Sequence, residues 1–433
     1  MIPTIVISVS TFTLVILSIL FFPHLKIGKI KLDTYWMIAL LGAIILLSFS
    51  FAPIEEVGKQ LTSNTAINPI KILVLFFSMT FISIVLDELG LFKFLASLAS
   101  KEAKGSQYFL FFSLYILTSV LTVFTSNDVV ILTLTPFICF FCKRSRINPI
   151  PFLVSEFVAA NTWSLMFVIG NPTNIYLATS AGINFIQYFK VMAVPTISAG
   201  LVELLILFLL FRKHLKQPLQ SNDVIYHIED RLPVIFGVAI LFICLLFLII
   251  SSYIHIEMWL VSSICAGVLL LFMLIYSFFN KRNIVHVGET MKRLPYQLIP
   301  FFLSMFVVVV ALNVQGITDK IAAFFGENNT LWVYGYSSFI SCNLINNIPM
   351  SILFTNISSS LTGVAYTQAI YASIIGSNIG AFLTPIGALA GIMFSGLVNE
   401  NNVRFTFLDF IKYGVVISIP VITVALAMTL LFI

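Results

Sequence analysis

A cluster of polar residues, Thr125, Ser126, Asn127 and Asp128, interrupts an apolar stretch that extends from residue 120 to residue 141. A carboxylate and free backbone groups in such a segment are costly unless they are buried in protein or face a water-filled cavity. Asp128 is suited to take up a proton or a cation, and it is also suited to cap a helix that begins at Val129. The cluster therefore predicts an ion- or substrate-binding site.

Three further clusters combine asparagine or threonine with residues that break helices. Their predicted binding residues are Asn171, Thr173, Asn174, Asn346, Asn347, Asn378 and Thr384. Their predicted helix-breaking residues are Gly170, Pro172, Pro349, Gly376, Pro385 and Gly387. A broken helix presents free N–H groups with about +0.5 charge and free carbonyls with about −0.5 charge, and amides both donate and accept. The clusters together predict a polar chamber suited to a small oxyanion, a neutral hydroxide or a desolvated cation.

Two more carboxylates, Glu156 and Glu203, lie in apolar stretches about two helical turns from basic loops. They are interpreted either as interfacial or paired carboxylates or as proton relays. Cys139 and Cys142 lie one turn apart and are interpreted as inert buried thiols, so no metal site is predicted.

The composition indicates that these residues lie in membrane-spanning segments. Hydrophobic residues make up 59% of the chain and charged residues 9%, and the mean hydropathy is +1.06. Soluble domains carry about 25% charged residues, whereas apolar runs of about 20 residues are typical of membrane-spanning helices. The net charge of +5 comes from basic residues in loops, which indicate topology rather than nucleic-acid binding. Phosphate-binding and zinc-protease motifs are absent from the sequence, so neither an ATPase nor another enzyme is predicted.

The apolar pattern predicts an all-α polytopic membrane protein with about ten spans, two re-entrant hairpins and two interrupted helices. Residues 107–124 and 128–142 are short apolar arms with basic residues on both flanks. They form either a re-entrant hairpin or two full spans joined by an outside turn, and their shortness favours the hairpin.

Residues 75–100 resemble residues 301–326, which indicates an internal repeat. The identical pairs, at a constant offset, are Phe76 and Phe302, Ser78 and Ser304, Met79 and Met305, Leu86 and Leu312, Gly90 and Gly316, and Ala96 and Ala322. The sequence therefore predicts a first repeat over 1–213, a cytoplasmic linker over 214–231 and a second repeat over 232–433.

The basic loops give the two repeats opposite orientations, which is the pattern of an inverted-topology transporter. They also place both termini outside a cell inner or plasma membrane. Asp87 and Glu88 end the third span and are predicted to form a solvated helix end, because Asn313 and Val314 occupy the same place in the second repeat.

The motifs around these clusters resemble those of the ArsB-type arsenite efflux permeases. Those permeases belong to the ion transporter superfamily and have a citrate transporter-like domain. The segments that carry the resemblance are residues 86–90 (LDELG), 126–128 (SND), 132–136 (LTLTP), 346–349 (NNIP), 376–380 (GSNIG) and 383–387 (LTPIG). The chain differs from the arsenite permeases at Asn378 and Phe382, where those proteins have an acidic and a basic residue.

The resemblance implies a scaffold domain and a transport domain that holds two hairpins, in a homodimer with elevator-like movement. It also implies a secondary transporter without cofactors, driven by a proton or sodium gradient. A separate ATPase subunit is compatible with the resemblance but is not indicated by it.

Three transport functions fit these residues. The first is ion-coupled export of a small inorganic anion or metalloid hydroxide of the arsenite or antimonite type. The second is cation-coupled transport of a di- or tricarboxylate such as citrate, for which a basic residue among the breaks would be expected. The third is sodium/proton antiport with Asp128 as the exchanging carboxylate.

Overall fold

The computed structural model describes residues 1–22, 24–27, 30–64, 68–103, 105–217, 226–254, 256–280 and 284–433. Of the predicted linker over 214–231, residues 218–225 lie outside the described residues.

Helices dominate the described part of the chain. Those of the first half are α1 (Ile2–Phe21), α2 (Thr34–Ser48), α3 (Ile54–Thr62), α4 (Pro69–Glu88), α5 (Leu91–Glu102), α6 (Gln107–Phe124), α7 (Asn127–Arg144), α8 (Ile150–Trp163), α9 (Pro172–Ser180) and α10 (Phe185–Phe211). Those of the second half are α11 (Arg231–Ile254), α12 (Met258–Asn280), α13 (Ile284–Arg293), α14 (Leu298–Val314), α15 (Ile317–Phe325), α16 (Thr330–Ile345), α17 (Asn347–Ser358), α18 (Gly363–Gly380), α19 (Leu389–Glu400) and α20 (Phe407–Thr429).

A short hairpin departs from the predicted all-α fold. Strands β1 (His24–Ile27) and β2 (Ile30–Asp33) pair antiparallel between α1 and α2, with Leu25 opposite Leu32. β-Branched residues of this hairpin favour extended backbone. The departure is small, because the two strands together contain only eight residues.

Eight helical segments among the described residues are long and apolar enough to cross a membrane. They are Ile2–Phe21, Pro69–Glu88, Gln107–Phe124, Phe185–Phe211, Arg231–Ser251, Met258–Phe279, Val287–Val314 and Phe407–Thr429. The protein is thus a polytopic membrane protein. The total of about ten spans, the re-entrant form of the hairpins and the side on which each terminus lies stay predictions.

The same succession of elements occurs in both halves. Each succession starts with a long buried helix, α4 or α14, and continues through an amphipathic helix, two helices that meet at a polar break, an interrupted helix and a final long helix. Gly90 and Gly316 precede the amphipathic helices α5 and α15 at φ +82° and +66°, which glycine adopts without strain. The opposite orientation of the two halves and the domain boundaries stay predictions.

Local capping explains where several long helices begin. The Asn68 side chain accepts hydrogen bonds from the first turn of α4, and Asn184 with Gln187 forms a capping box at α10. Thr406 and Asp409 form the equivalent box at α20. Such caps satisfy N–H groups that have no partner within the helix.

The prediction that Gly376 breaks a helix is wrong. Gly376 and Asn378 lie inside the continuous helix α18, and the interruption comes later, at residues 381–388. Gly376 and Gly380 instead form a small-residue stripe against which α16 packs closely. Glycine allows two helix backbones to approach, so the residue type alone did not distinguish a packing position from a break.

Replacing Gly376 by alanine is expected to lower the free energy of unfolding by about 3 kcal/mol or more, because overpacking against backbone cannot be relieved by a side-chain rotation. An added Cβ would lie 2.0 Å from Ser338 Oγ and 2.4 Å from the Gly335 carbonyl oxygen. The measurement is the melting temperature of the purified variant in detergent.

Gly396→Ala is the matched control, because Gly396 is also helical and an added Cβ there has no neighbour within 4 Å. This control should leave stability unchanged or raise it by up to about 1 kcal/mol. Equal melting temperatures for the two variants would contradict the close packing of α16 and α18.

The prediction that Asp87 and Glu88 form a solvated helix end is also wrong. Asp87 is 3% exposed, and its Oδ2 lies 2.7 Å from Arg293 Nη2, at the end of α13. Arg293 also pairs with Glu88. A buried carboxylate that stays ionised is stabilised by such a partner, which the comparison with Asn313 and Val314 could not reveal.

Candidate functional site

Four helices begin at the polar breaks. α7 follows residues 125–126, α9 follows the interruption at residues 164–171, α17 follows Asn346, and α19 follows residues 381–388. Side chains at these breaks form two hydrogen-bonded groups and one partly unsatisfied group.

Asn378 joins the two halves of the chain. Its Oδ1 accepts hydrogen bonds from Ser164 Oγ at 2.8 Å and from Asn171 Nδ2 at 2.9 Å. Its Nδ2 donates to Asn174 Oδ1 at 2.6 Å and to the Ile374 carbonyl at 2.8 Å. Asn378 is fully buried, so water does not compete for these hydrogen bonds.

Thr173 extends this network. Its backbone N–H and its hydroxyl both donate to Asn171 Oδ1, at 3.1 and 3.0 Å, and its hydroxyl accepts from Ser377 at 3.0 Å. Asn174 Nδ2 donates to the Ser164 carbonyl at 2.8 Å. The predicted residues Asn171, Thr173, Asn174 and Asn378 are therefore brought together, and their amides are largely occupied by one another.

The second group connects the tip between α16 and α17 to the interruption before α19. Asn346 adopts φ +71°, a region that asparagine tolerates better than most residues, and its Oδ1 accepts from the Ile348 N–H at 3.3 Å. Its Nδ2 donates to the Ile386 carbonyl at 3.0 Å, and the Asn347 N–H donates to the Gly387 carbonyl at 3.0 Å. Pro349 lies in the first turn of α17, where a missing N–H costs little.

Asn343 belongs to this second group, although the sequence reasoning missed it. Its Oδ1 accepts from Thr384 Oγ1 at 2.6 Å, and its Nδ2 donates to the Gly380 carbonyl at 2.9 Å. Pro385 and Gly387 lie within the interruption that these bonds hold. An available signal was an asparagine in an apolar helix, one turn before Asn346.

The first cluster has unused hydrogen-bonding capacity. Asn127 Nδ2 donates to Asn161 Oδ1 at 3.3 Å, and Thr125 donates to the Leu121 carbonyl at 2.6 Å. Within the described chain, however, Ser126 Oγ and Asn127 Oδ1 are buried without any hydrogen-bond partner. The first cluster thus differs from the breaks at Asn171 and Asn346, whose side chains cap the helices they precede.

Asp128 lies in the first turn of α7, with Ser126 rather than Asp128 as the N-cap residue. The side chain is only partly buried, and Tyr35 at the start of α2 is close enough for an electrostatic interaction with it. A carboxylate at a helix N-terminus is favoured by the helix dipole. Asp128 is therefore partly buried, directly after the two residues that carry unpartnered polar atoms.

Glu156 and Glu203 lie elsewhere in the helix bundle. Thr135 donates to the Glu156 carboxylate, with oxygen–oxygen distances of 3.1 and 3.3 Å. Glu203 is fully buried, and neither of its oxygens has a hydrogen bond within the described chain. In that same part of the protein, neither carboxylate forms an ion pair with a lysine or arginine.

A cleft of about 400 Å³ opens between the ends of α7, α8 and α19. Lys143, Asn148, Asn401 and Arg404 contribute its polar lining, and Cys139 lies at its inner wall. None of the break residues lines this cleft. Among the described residues there is also no group of three or more histidine, cysteine or acidic side chains that could hold a metal ion.

The sequence profile of the citrate transporter family, CitMHS, matches residues 33–376. Curated relatives include the arsenical pump membrane protein of Escherichia coli strain K12, which is 27% identical over 368 residues and aligned over 81% of this chain and 84% of its own length. A 46 kDa membrane protein of Mycobacterium leprae is 25% identical over 408 residues, which cover 90% of this chain and 91% of that protein.

Two solved structures share the fold. The YdaH transporter of Alcanivorax borkumensis superposes with a TM-score of 0.57 at 15% identity, covering 99% of this chain and 97% of that one. MtrF of Neisseria gonorrhoeae, described among antimetabolite efflux pumps, gives a TM-score of 0.50 at 16% identity over 98% and 95%. Since the family profile spans most of the sequence, this chain belongs to the CitMHS citrate transporter family of membrane transporters.

Proposed function

We propose that this transporter is an ion-coupled secondary carrier that exports a small metalloid hydroxide or inorganic anion, of the arsenite or antimonite type, by alternating access. The observation that carries the proposal is the pair of unpartnered atoms, Ser126 Oγ and Asn127 Oδ1, beside the partly buried Asp128. Leaving a buried polar group unsatisfied costs about 1–3 kcal/mol. A ligand that brings hydroxyl donors or a cation would satisfy them.

The assignment of roles follows from which groups are free to bind. Asp128 takes up the coupling ion, a proton or sodium, and Ser126 and Asn127 contact the substrate. The network around Asn378 and the contacts of Asn343 and Thr384 hold the interrupted helices in register. During alternating access, the Asn378 network and the group around Asn343 should each move as a rigid unit, because the side chains within each are hydrogen-bonded to one another.

The names of relatives support export of a metalloid. The Escherichia coli relatives are named arsenical pump membrane proteins, and they align with most of this chain. A homodimer in a lipid bilayer is the expected assembly. A separate ATPase subunit is not required by the proposal, because an ion gradient supplies the energy.

Transport of a di- or tricarboxylate is the second candidate, favoured by the family description as citrate transporters. In the described chain, however, no arginine or lysine takes part in the side-chain hydrogen bonds at the breaks. An arginine or lysine would ordinarily hold the carboxylates of such a substrate. This arrangement favours a small hydroxylated substrate.

A substrate panel in proteoliposomes tests the proposal. Purified protein is assayed with arsenite, antimonite and citrate under an imposed proton or sodium gradient, and empty liposomes serve as the control. We expect gradient-dependent flux of arsenite or antimonite. Flux of citrate alone would establish the carboxylate function instead, and sodium-dependent proton flux without either substrate would establish antiport.

A further inference from the structure

Glu203 lies where α6, α8 and α10 meet. Tyr115 of α6 and Thr162 of α8 flank its carboxylate. The Tyr115 hydroxyl donates its proton to the Gly200 carbonyl at 2.7 Å and accepts from Trp163 Nε1 at 3.0 Å, so that proton is not available to Glu203. The Thr162 hydroxyl, in contrast, has no hydrogen bond of normal geometry in the described chain.

Among the described residues, no lysine or arginine forms an ion pair with Glu203. Tyr115 of α6 is the titratable group beside it, and Tyr413 of α20 contacts α10 about two turns farther on, at Phe211. Glu156 of α8 is bonded to Thr135 of α7 instead. An ionised carboxylate in such a place is far more costly than the neutral acid, so the group is suited to holding a proton.

A short polar path leads from Glu203 to the first cluster. Thr162 lies beside Glu203, and its chain neighbour Asn161 faces another side of α8, where Asn161 Oδ1 accepts from Asn127 Nδ2 at 3.3 Å. Asn127 is followed directly by Asp128. The end of α8 therefore carries Thr162 beside Glu203 and Asn161 bonded to Asn127, and these two neighbours on α8 are joined through the backbone.

Two further unpartnered hydroxyls lie on α6. The hydroxyls of Thr118 and Thr122 on α6 are buried without partners in the described residues, and they share a helix face with Tyr115. Orphaned buried hydroxyls are rare in folded proteins and are commonly satisfied by ordered water. They add two buried polar groups to the face of α6 that carries Tyr115, a neighbour of Glu203.

We propose that Glu203 is a second proton-carrying group, coupled to Asp128 across α8 through Thr162, Asn161 and Asn127. This inference rests on the proposed function, because it identifies the coupling ion of that transport as the proton. On loading, a hydronium ion transfers one proton to a Glu203 oxygen and becomes water; on release, a water molecule accepts that proton. No other bond changes.

Proteoliposomes with wild-type protein, Glu203→Gln and Glu400→Gln provide the first test. Glu400 is exposed at the end of α19, so its variant is a matched control for loss of a carboxyl group. We expect Glu203→Gln to retain substrate exchange at equal pH but to lose net transport driven by a pH gradient. Glu400→Gln should retain both, and intact gradient-driven transport in Glu203→Gln would overturn the proposal.

Infrared spectroscopy tests the protonation of Glu203 without any substrate. The wild-type spectrum minus that of Glu203→Gln should contain the carbonyl stretching band of a protonated carboxylic acid, and its absence at every pH would overturn the proposal. If the wild type transports no substrate of the panel, the proposed function fails while this band still decides the state of Glu203. Should the glutamine variant not fold, Glu203→Asp must shift the pH profile of gradient-driven transport, and an unchanged profile would overturn the proposal.

The coupling to Asp128 has its own test. Because the proposal couples the two protonation states, Asp128→Asn should shift the midpoint of the infrared titration of Glu203. In an Asn161→Leu background the same change should have a smaller effect. An equal effect in both backgrounds would show that the path through Asn161 does not carry the coupling.

Discussion

Asp128→Asn should reduce gradient-driven transport by a factor of about 10–150, because a contact to a charged group contributes about 1.5–3 kcal/mol of binding free energy. The variant keeps the size and the first-turn position of the side chain but cannot hold the coupling ion. Transport is measured in proteoliposomes with the substrate that the wild type carries. Arsenite tolerance of a sensitive bacterial strain that expresses the variant gives a second measurement.

Asp319→Asn is the control for this change. Asp319 also lies in the first turn of a helix, α15, but it is exposed. The control variant should transport as well as the wild type. If Asp128→Asn also retained full gradient-driven transport, Asp128 would not be the coupling residue, and its carboxylate would serve only to stabilise the N-terminus of α7 through the helix dipole.

Asn378→Ala is expected to lower the free energy of unfolding by about 3–5 kcal/mol, since several buried groups lose partners at about 1–3 kcal/mol each. The change removes the acceptor of Ser164 and Asn171 and the donor to Asn174. Because these residues belong to the interruption between α8 and α9, transport should be lost as well. Melting temperature in detergent and transport in proteoliposomes are the two measurements.

Asn356→Ala separates this network effect from the loss of a single hydrogen bond. Asn356 donates to the Ile352 carbonyl one turn earlier at 3.0 Å, just as Asn378 donates to Ile374 at 2.8 Å. Among the described residues the Asn356 side chain makes only this hydrogen bond, so its variant should cost about 1 kcal/mol. Similar melting temperatures for the two variants would argue against a structural role of the Asn378 network.

Local sequence signals predicted most of the breaks. Pro172 and Pro385 remove backbone donors, and Asn171 and Asn346 supply the side chains that cap the helices beyond them. These effects act within a few residues, so they can be predicted from the sequence alone. Gly376 was misassigned because the same residue type serves a break and a close helix contact, and only the position of α16 distinguishes the two.

Long-range partners could not be predicted in the same way. Asn161 bonds to Asn127 and Asn343 bonds to Thr384, and both pairs join residues that are far apart in the sequence. The sequence placed Asn378 in the predicted site without indicating that Ser164 and Asn171 occupy its oxygen. Polar residues at membrane depth are visible from sequence, whereas which of them saturate each other depends on how the helices pack.

The ion pair of Arg293 with Asp87 and Glu88 has a consequence for biosynthesis. Glu88 leaves the ribosome 205 residues before Arg293, so α4 is delivered to the membrane while both of its terminal carboxylates lack their partner. A buried charge without its partner costs about 3–5 kcal/mol. The first half of the chain therefore remains incompletely assembled until α13 has been synthesised and inserted. Its assembly is completed by Arg293, a residue that has not yet been translated when α4 enters the membrane.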